Sequence, residues 1–315
     1  MVKNEHFSLP SSNGRSRLSG RIWMPEGRPK MVLQLAHGMI EYVDRYEEFA
    51  IELASRGAAV AGYDHLGHGR TAAGPEEFGY FAEEKGWVYL VKDLHRTRKV
   101  LERKYPGVPY FMMGHSMGSF MLRRYLTVHG NGLKGAVLMG TGNQPRPAVL
   151  AGLALSSLFS ILLGADYRSD GVNRVWRWNF NRKFRPLETS MDWLSTDEEQ
   201  VKKFIKDPYC GFQFSFSAYR DLLQMVYDGE DLRLARRIPS RLPVLLISGG
   251  SDPVGQEGKG VLSAAELLDR AGVRRTKVIL YPGLRHELVM EKNRKEVAED
   301  IYQWMTSCLA GSDKE

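Results

Sequence analysis

Two cysteines, Cys210 and Cys308, stand in a chain of 315 residues. That is too few for a disulfide framework and agrees with a reducing compartment, although one bridge between the two is compatible with the count. A long Lys/Arg block is also missing. The 44 basic and 37 acidic residues leave a net +7, which reads as solubilising surface charge with some affinity for anionic surfaces such as lipid head groups, and argues against nucleic-acid binding. Met1-Val2-Lys3-Asn4-Glu5-His6 holds neither an apolar run nor a small-residue cleavage site. It does not read as a signal peptide, so a cytoplasmic location is expected. Internal repeats, low-complexity tracts and P-loop patterns are absent. Gly130-Asn131-Gly132-Leu133-Lys134-Gly135 matches G-x-G-x-x-G, but it follows a helical pattern and precedes a strand, the reverse of what a dinucleotide fingerprint requires. No cofactor is expected.

What is present is an alternation of short apolar runs with longer amphipathic stretches. Strands are expected at 31–36, 58–62, 109–113 and 134–139, with helices at 45–56, 87–105 and 117–129 between them. The rhythm resumes with strands at 244–248 and 277–281 and helices at 258–271 and 293–309. Such alternation predicts an α/β fold with a mostly parallel sheet covered by helices on both faces. From about Asn143 to about Pro239 the pattern is helical and aromatic, without a convincing strand. The chain therefore divides into an α/β core over 1–142 and 240–315 and a helical cap over 143–239 inserted before the last third.

Gly114-His115-Ser116-Met117-Gly118 is a G-x-S-x-G motif lying directly between the apolar strand and the helix that begins at Met117. That context defines a nucleophile elbow: a strained turn that lifts the serine hydroxyl above the sheet, with glycines making room for strand and helix to meet. A serine needs a base at neutral pH, and in this arrangement an acid and then a histidine follow it in the chain. Of the eight histidines, His129 and His286 follow Ser116. His129 ends the helix that the serine begins, about 20 Å away at 1.5 Å per residue. His286 lies in a loop past the 277–281 strand, on the sheet edge where all parallel strands end, and is the expected base. Asp252 follows the 244–248 strand on the same edge and is the expected acid; Asp269 is a rival, but it falls inside the next helix. The backbone N–H groups of Met39 and Met117 are the expected oxyanion donors. His37 and His115 read as structural hydrogen-bonding residues. His65 and His68 lack a carboxylate or cysteine cluster at ligand spacing, so no metal is expected.

Taken together, His37-Gly38 with Glu41 and Arg45-Tyr46, Asp64 with Gly67-His68-Gly69, the Ser116 elbow, Gly249 to Val254 and His286-Glu287 resemble the monoacylglycerol lipase and lysophospholipase branch of the α/β-hydrolases. The resemblance spans both parts of the core and implies a serine esterase whose cap covers the nucleophile and admits one acyl chain. Tyr42 stands where that family usually has histidine, and Thr71 where it usually has serine. Neither change touches an expected catalytic group, though Tyr42 alters the rim beside the oxyanion loop.

Within the cap, Ala148 to Gly164 is a run of seventeen uncharged residues diluted by three serines and two glycines. It is short for a membrane span. A cap helix with one face on the core and one lining an apolar pocket is expected, with Leu155, Phe159 and Leu162 as substrate contacts. The eleven aromatics between Val172 and Tyr219 are expected to be mostly cap core, about a third of them lining the pocket. The expected partner is a small lipid ester, met through transient contact with a membrane or micelle surface; oligomeric state stays open. Two alternatives remain. One is a serine aminopeptidase or amidase, which an acidic cluster in the cap (Glu188, Asp192, Asp197, Glu198, Glu199) would favour; the other is a non-catalytic binding protein.

Overall fold

The computed structural model describes residues 2–310. Its centre is one eight-stranded sheet in the order β1-β2-β4-β3-β5-β6-β7-β8. The strands are β1 (Lys3–Pro10), β2 (Arg17–Met24), β3 (Met31–Ala36), β4 (Ala58–Tyr63), β5 (Tyr110–His115), β6 (Gly135–Met139), β7 (Val244–Gly249) and β8 (Thr276–Tyr281). β1 and β2 form an antiparallel hairpin, β2 meets β4 antiparallel, and all later pairings are parallel.

Alternate residues of the parallel strands feed two separate cores, one on each face. Val32, Met112, Leu138 and Leu246 point to the side covered by α2 (Gly86–Lys104), α3 (Met117–His129) and α9 (Lys259–Arg270). Leu33, Met113, Val137 and Ile247 point to the side covered by α1 (Glu47–Ser55) and α10 (Arg294–Ala310). Strands buried on both faces carry no polar alternation, which is why they read as near-continuous apolar runs. The expected mostly parallel sheet is present. The β1–β2 hairpin was not anticipated: β1 is largely exposed along its length and holds few apolar residues.

Between β6 and β7 lie α4 (Arg146–Leu163), α5 (Asp170–Asn181), α6 (Glu198–Lys206), α7 (Phe216–Gly229) and the short α8 (Leu232–Ala235). Strand pairing in this stretch is limited to one isolated bridge, Arg168 to Ser215. α4 packs against α7, yet its other side faces solvent, with Ile161 80% and Leu162 65% exposed.

Candidate active site

Ser116 sits between β5 and α3 with φ 51° and ψ −119°, a conformation that a non-glycine residue adopts only when its surroundings enforce it. The glycines two positions away explain the motif. A Cβ on Gly118 would stand 2.1 Å from the Ala36 carbonyl oxygen, and one on Gly114 would stand 2.3 Å from the Gly118 carbonyl oxygen. Neither contact is tolerable, so the helix can approach β3 only with glycine at both places.

Asp252 and His286 arrive from the loops after β7 and β8, and both are buried. His286 Nδ1 lies 3.0 Å from each Asp252 carboxylate oxygen and donates to them, leaving Nε2 free to act as an acceptor. The imidazole is held between the rings of Trp193 and His115, at 4.9 and 4.8 Å. Burial pushes the Asp252 carboxyl up, but His286 beside it, the Val254 N–H and the Ser248 hydroxyl outweigh that and hold it below its ordinary value. Asp252 is thus kept ionised where it orients the histidine. Ser116, His286, Met39 and Met117 line one cavity. Among the described residues, neither the Met39 nor the Met117 N–H donates to a protein acceptor.

A second layer of charge ties the Met39 loop to the His286 loop. Glu41 Oε1 accepts from the Gly38 N–H (2.6 Å), the Tyr46 hydroxyl (2.8 Å) and His115 Nδ1 (2.9 Å), while Oε2 pairs with Arg45 (2.8 Å). Arg45 forks onto both oxygens of Glu287, at 2.6 and 2.8 Å. Burial alone would raise the Glu41 carboxyl, but His115 and Arg45 drive it far below its usual range. Burial likewise lowers His115, yet Glu41 prevails and holds it above its ordinary value. The sequence showed these residues but assigned them no such joint task. Tyr42 donates to Asp207 at 2.9 Å, so the residue that departs from the family pattern ties the loop after β3 to the residue that ends α6. His37, His65 and His68 are buried and pushed below the ordinary histidine range mainly by that burial. Each has a ring nitrogen bonded to backbone, His37 Nε2 accepting the His65 N–H at 3.0 Å, His65 Nε2 donating to the His37 carbonyl at 3.2 Å and His68 Nδ1 donating to the Leu66 carbonyl, while His65 Nδ1 and His68 Nε2 have no hydrogen-bond partner among the described residues. Among the described residues no three His, Cys, Asp or Glu side chains are arranged so that they could hold a metal ion.

The cavity beside Ser116 has a volume of about 180 Å³ and is walled by α5, α6, α7 and the turn between α5 and α6, through Trp176, Phe180, Trp193, Phe204, Leu222 and Leu223. Leu155, Phe159 and Leu162 do not line it. Leu155 and Leu162 are exposed, and the Phe159 ring packs on Phe216. The expectation that α4 walls the pocket is therefore corrected. An apolar run with no polar face carries no signal of which side turns inward, and here α7 intervenes.

A strained serine at a strand-to-helix elbow, an oriented histidine and an ionised aspartate at one edge of a mostly parallel sheet define a serine hydrolase of the α/β-hydrolase fold. The family model described as Serine aminopeptidase, S33 matches residues 27–293, and the chain belongs to that family. It is similar to human monoglyceride lipase, 27% identical over 286 residues covering 90% of this chain and 83% of that one. To the monoacylglycerol lipase of Mycolicibacterium smegmatis it is 25% identical over 303 residues, 94% and 95% of the two chains. Among solved structures, a thermostable carboxyl esterase from Bacillus coagulans in complex with glycerol superposes with a TM-score of 0.89 at 29% identity, covering 97% of this chain and 98% of that one.

Proposed function

We propose that this protein hydrolyses monoacyl esters, with a monoacylglycerol or a lysophospholipid as substrate, through an acyl-enzyme on Ser116. His286 takes the hydroxyl proton as Ser116 attacks the ester carbonyl, and the tetrahedral oxyanion accepts from the Met39 and Met117 N–H groups. Collapse expels the alcohol, which leaves with the proton from His286. Water then enters, gives up a proton to the same nitrogen, and releases the fatty acid. Asp252 stays ionised throughout and stabilises the imidazolium. No cofactor enters these steps.

The observation that carries this reading over an aminopeptidase is the state of the cavity's carboxylates. Among the described residues, Glu41 and Glu287 are the acidic side chains lining it, and both are paired with Arg45. A substrate ammonium would find no carboxylate free to receive it. The cap acids do not supply one: Asp192 accepts from Glu188 and Thr189, Asp197 caps α6, and Glu198 and Glu199 stand exposed in its first turn. An apolar cavity of this make suits an acyl chain.

In this reading residues 143–239 act as the cap. The outward face of α4, with Leu155, Leu158, Ile161 and Leu162 exposed, meets the membrane or micelle surface from which substrate is drawn. Cys210 and Cys308 are free thiols, in keeping with a cytoplasmic location. The test is a panel of 1-monoacylglycerols, lysophosphatidylcholine and aminoacyl anilides, run alongside fluorophosphonate labelling. Labelling that disappears in Ser116→Ala, with turnover of the monoacyl esters, is expected; faster turnover of the anilides would reverse the assignment, and absence of labelling would make the protein a binder.

A further inference from the structure

A second cavity, of about 380 Å³, opens on the other side of α5. Its wall is one face of that helix, residues 170, 173, 174, 177, 178 and 181, which follow one another at the three- and four-residue steps that put side chains on a single side. The chain after α5 closes it with Arg182 and Arg185. Four arginines thus converge on one concavity: Arg174, Arg177, Arg182 and Arg185. Among the described residues, no carboxylate lies within ion-pair distance of any of them; the intervening Lys183 is taken by Glu257. One acid lines the cavity, Asp170, and it accepts from Gln213.

Like charges gathered this way repel one another, and a protein gains nothing in stability by leaving them unpaired. The guanidinium is suited to oxyanions, since its planar fork presents parallel N–H donors. Four of them around one space offer more donors than the two oxygens of a carboxylate can accept, whereas a phosphate group can engage several at once. At the mouth stands Trp178, 61% exposed, the residue type that settles at membrane–water interfaces. The two cavities share no lining residue, and Trp176 and Phe180 on the opposite side of α5 face the Ser116 cavity. The arginine cavity is therefore not where a reacting ester would lie.

We propose that this cap cavity binds a phosphate-type anion, either free or carried by a lipid head group at the surface on which the protein works. The test uses inorganic phosphate by calorimetry, and vesicles of phosphatidylcholine with and without phosphatidylglycerol by co-sedimentation. Arg174→Gln/Arg185→Gln is compared with Arg236→Gln/Arg237→Gln, which removes the same charge from exposed positions elsewhere. Both variants are expected to keep wild-type turnover of a soluble short-chain ester, which reports an intact fold. Saturable phosphate binding lost only in the first variant means a free anion fills the site. If phosphate does not bind, but phosphatidylglycerol strengthens vesicle association and the first variant loses roughly 30-fold of it, the anion is lipid-borne, at about 1 kcal/mol per guanidinium. Equal behaviour of the two variants, or no response to either probe in the wild type, would overturn the proposal.

Discussion

Glu41 and Glu287 are buried beside the nucleophile, and a buried carboxylate is costly unless it is paired. Arg45 serves both at once, so Arg45→Met strands the Glu287 carboxylate and leaves Glu41 held by Gly38, Tyr46 and His115 alone. Breaking a buried pair in this way typically costs about 3–5 kcal/mol. We expect that loss in urea unfolding, with partial recovery in Arg45→Met/Glu287→Gln, where the stranded charge is gone; equal losses in the two variants would mean that Arg45 acts through its packing on Phe204 instead. This network also marks the limit of what the sequence discloses at the scale of residues. Ser116 announces itself because its constraints are local, a strand, two glycines and a helix within ten positions. His286 and Asp252 follow from topology, since parallel strands end at a common edge. Arg45 and Glu287 are 242 positions apart, and nothing local in either segment records that they meet.

At the scale of elements, α7 is joined to α2 through a carboxylate. Asp221 is buried against the Gly86 and Trp87 N–H groups that open α2, and one of its oxygens has no hydrogen-bond partner. Burial pushes its pKa up to about 7, with Arg220 and the two N–H groups opposing only in part. The unfolded carboxyl titrates near about 3.9. Between those values the folded chain holds a proton that the unfolded chain releases, so this group makes stability fall as pH rises from about 4 to 7. Asp221→Asn should remove that slope, matching wild type near pH 4 and exceeding it at pH 8 by on the order of 4 kcal/mol. Denaturant midpoints across that range decide it, and parallel curves would show that the carboxylate is better solvated than its burial implies. The elements themselves were legible where burial is complete. β3 to β7 are buried along their whole length and apolar except at Gln34, His115 and Ser248, and α1, α2 and α3 end within about two residues of expectation, whereas β1 lies at the sheet edge with one partner and its sequence has no core pattern to betray it.

Across the whole molecule, the helical insertion divides apolar surface between the Ser116 cavity and the outer face of α4, which the sequence could not separate. α4 is, among the described residues, the one helix long and apolar enough to cross a membrane, and its composition drew attention as a pocket wall. The fold gives that position to α5, α6 and α7 and leaves α4 facing outward. Charged substitutions should therefore separate the two roles. Leu222→Asp or Leu223→Asp places a charge in the cavity and should suppress turnover of long-chain monoacylglycerols below their micelle concentration, while a two-carbon ester is nearly spared. Leu155→Asp and Leu162→Asp should leave both soluble reactions intact and instead weaken turnover on vesicles. In the wild type each methylene that enters the cavity contributes about 0.8 kcal/mol, so kcat/KM should rise ~fourfold per carbon until the cavity is full and then level. A flat series would mean that the acyl chain lies outside the cavity. Loss of soluble long-chain turnover in Leu155→Asp would return α4 to the pocket.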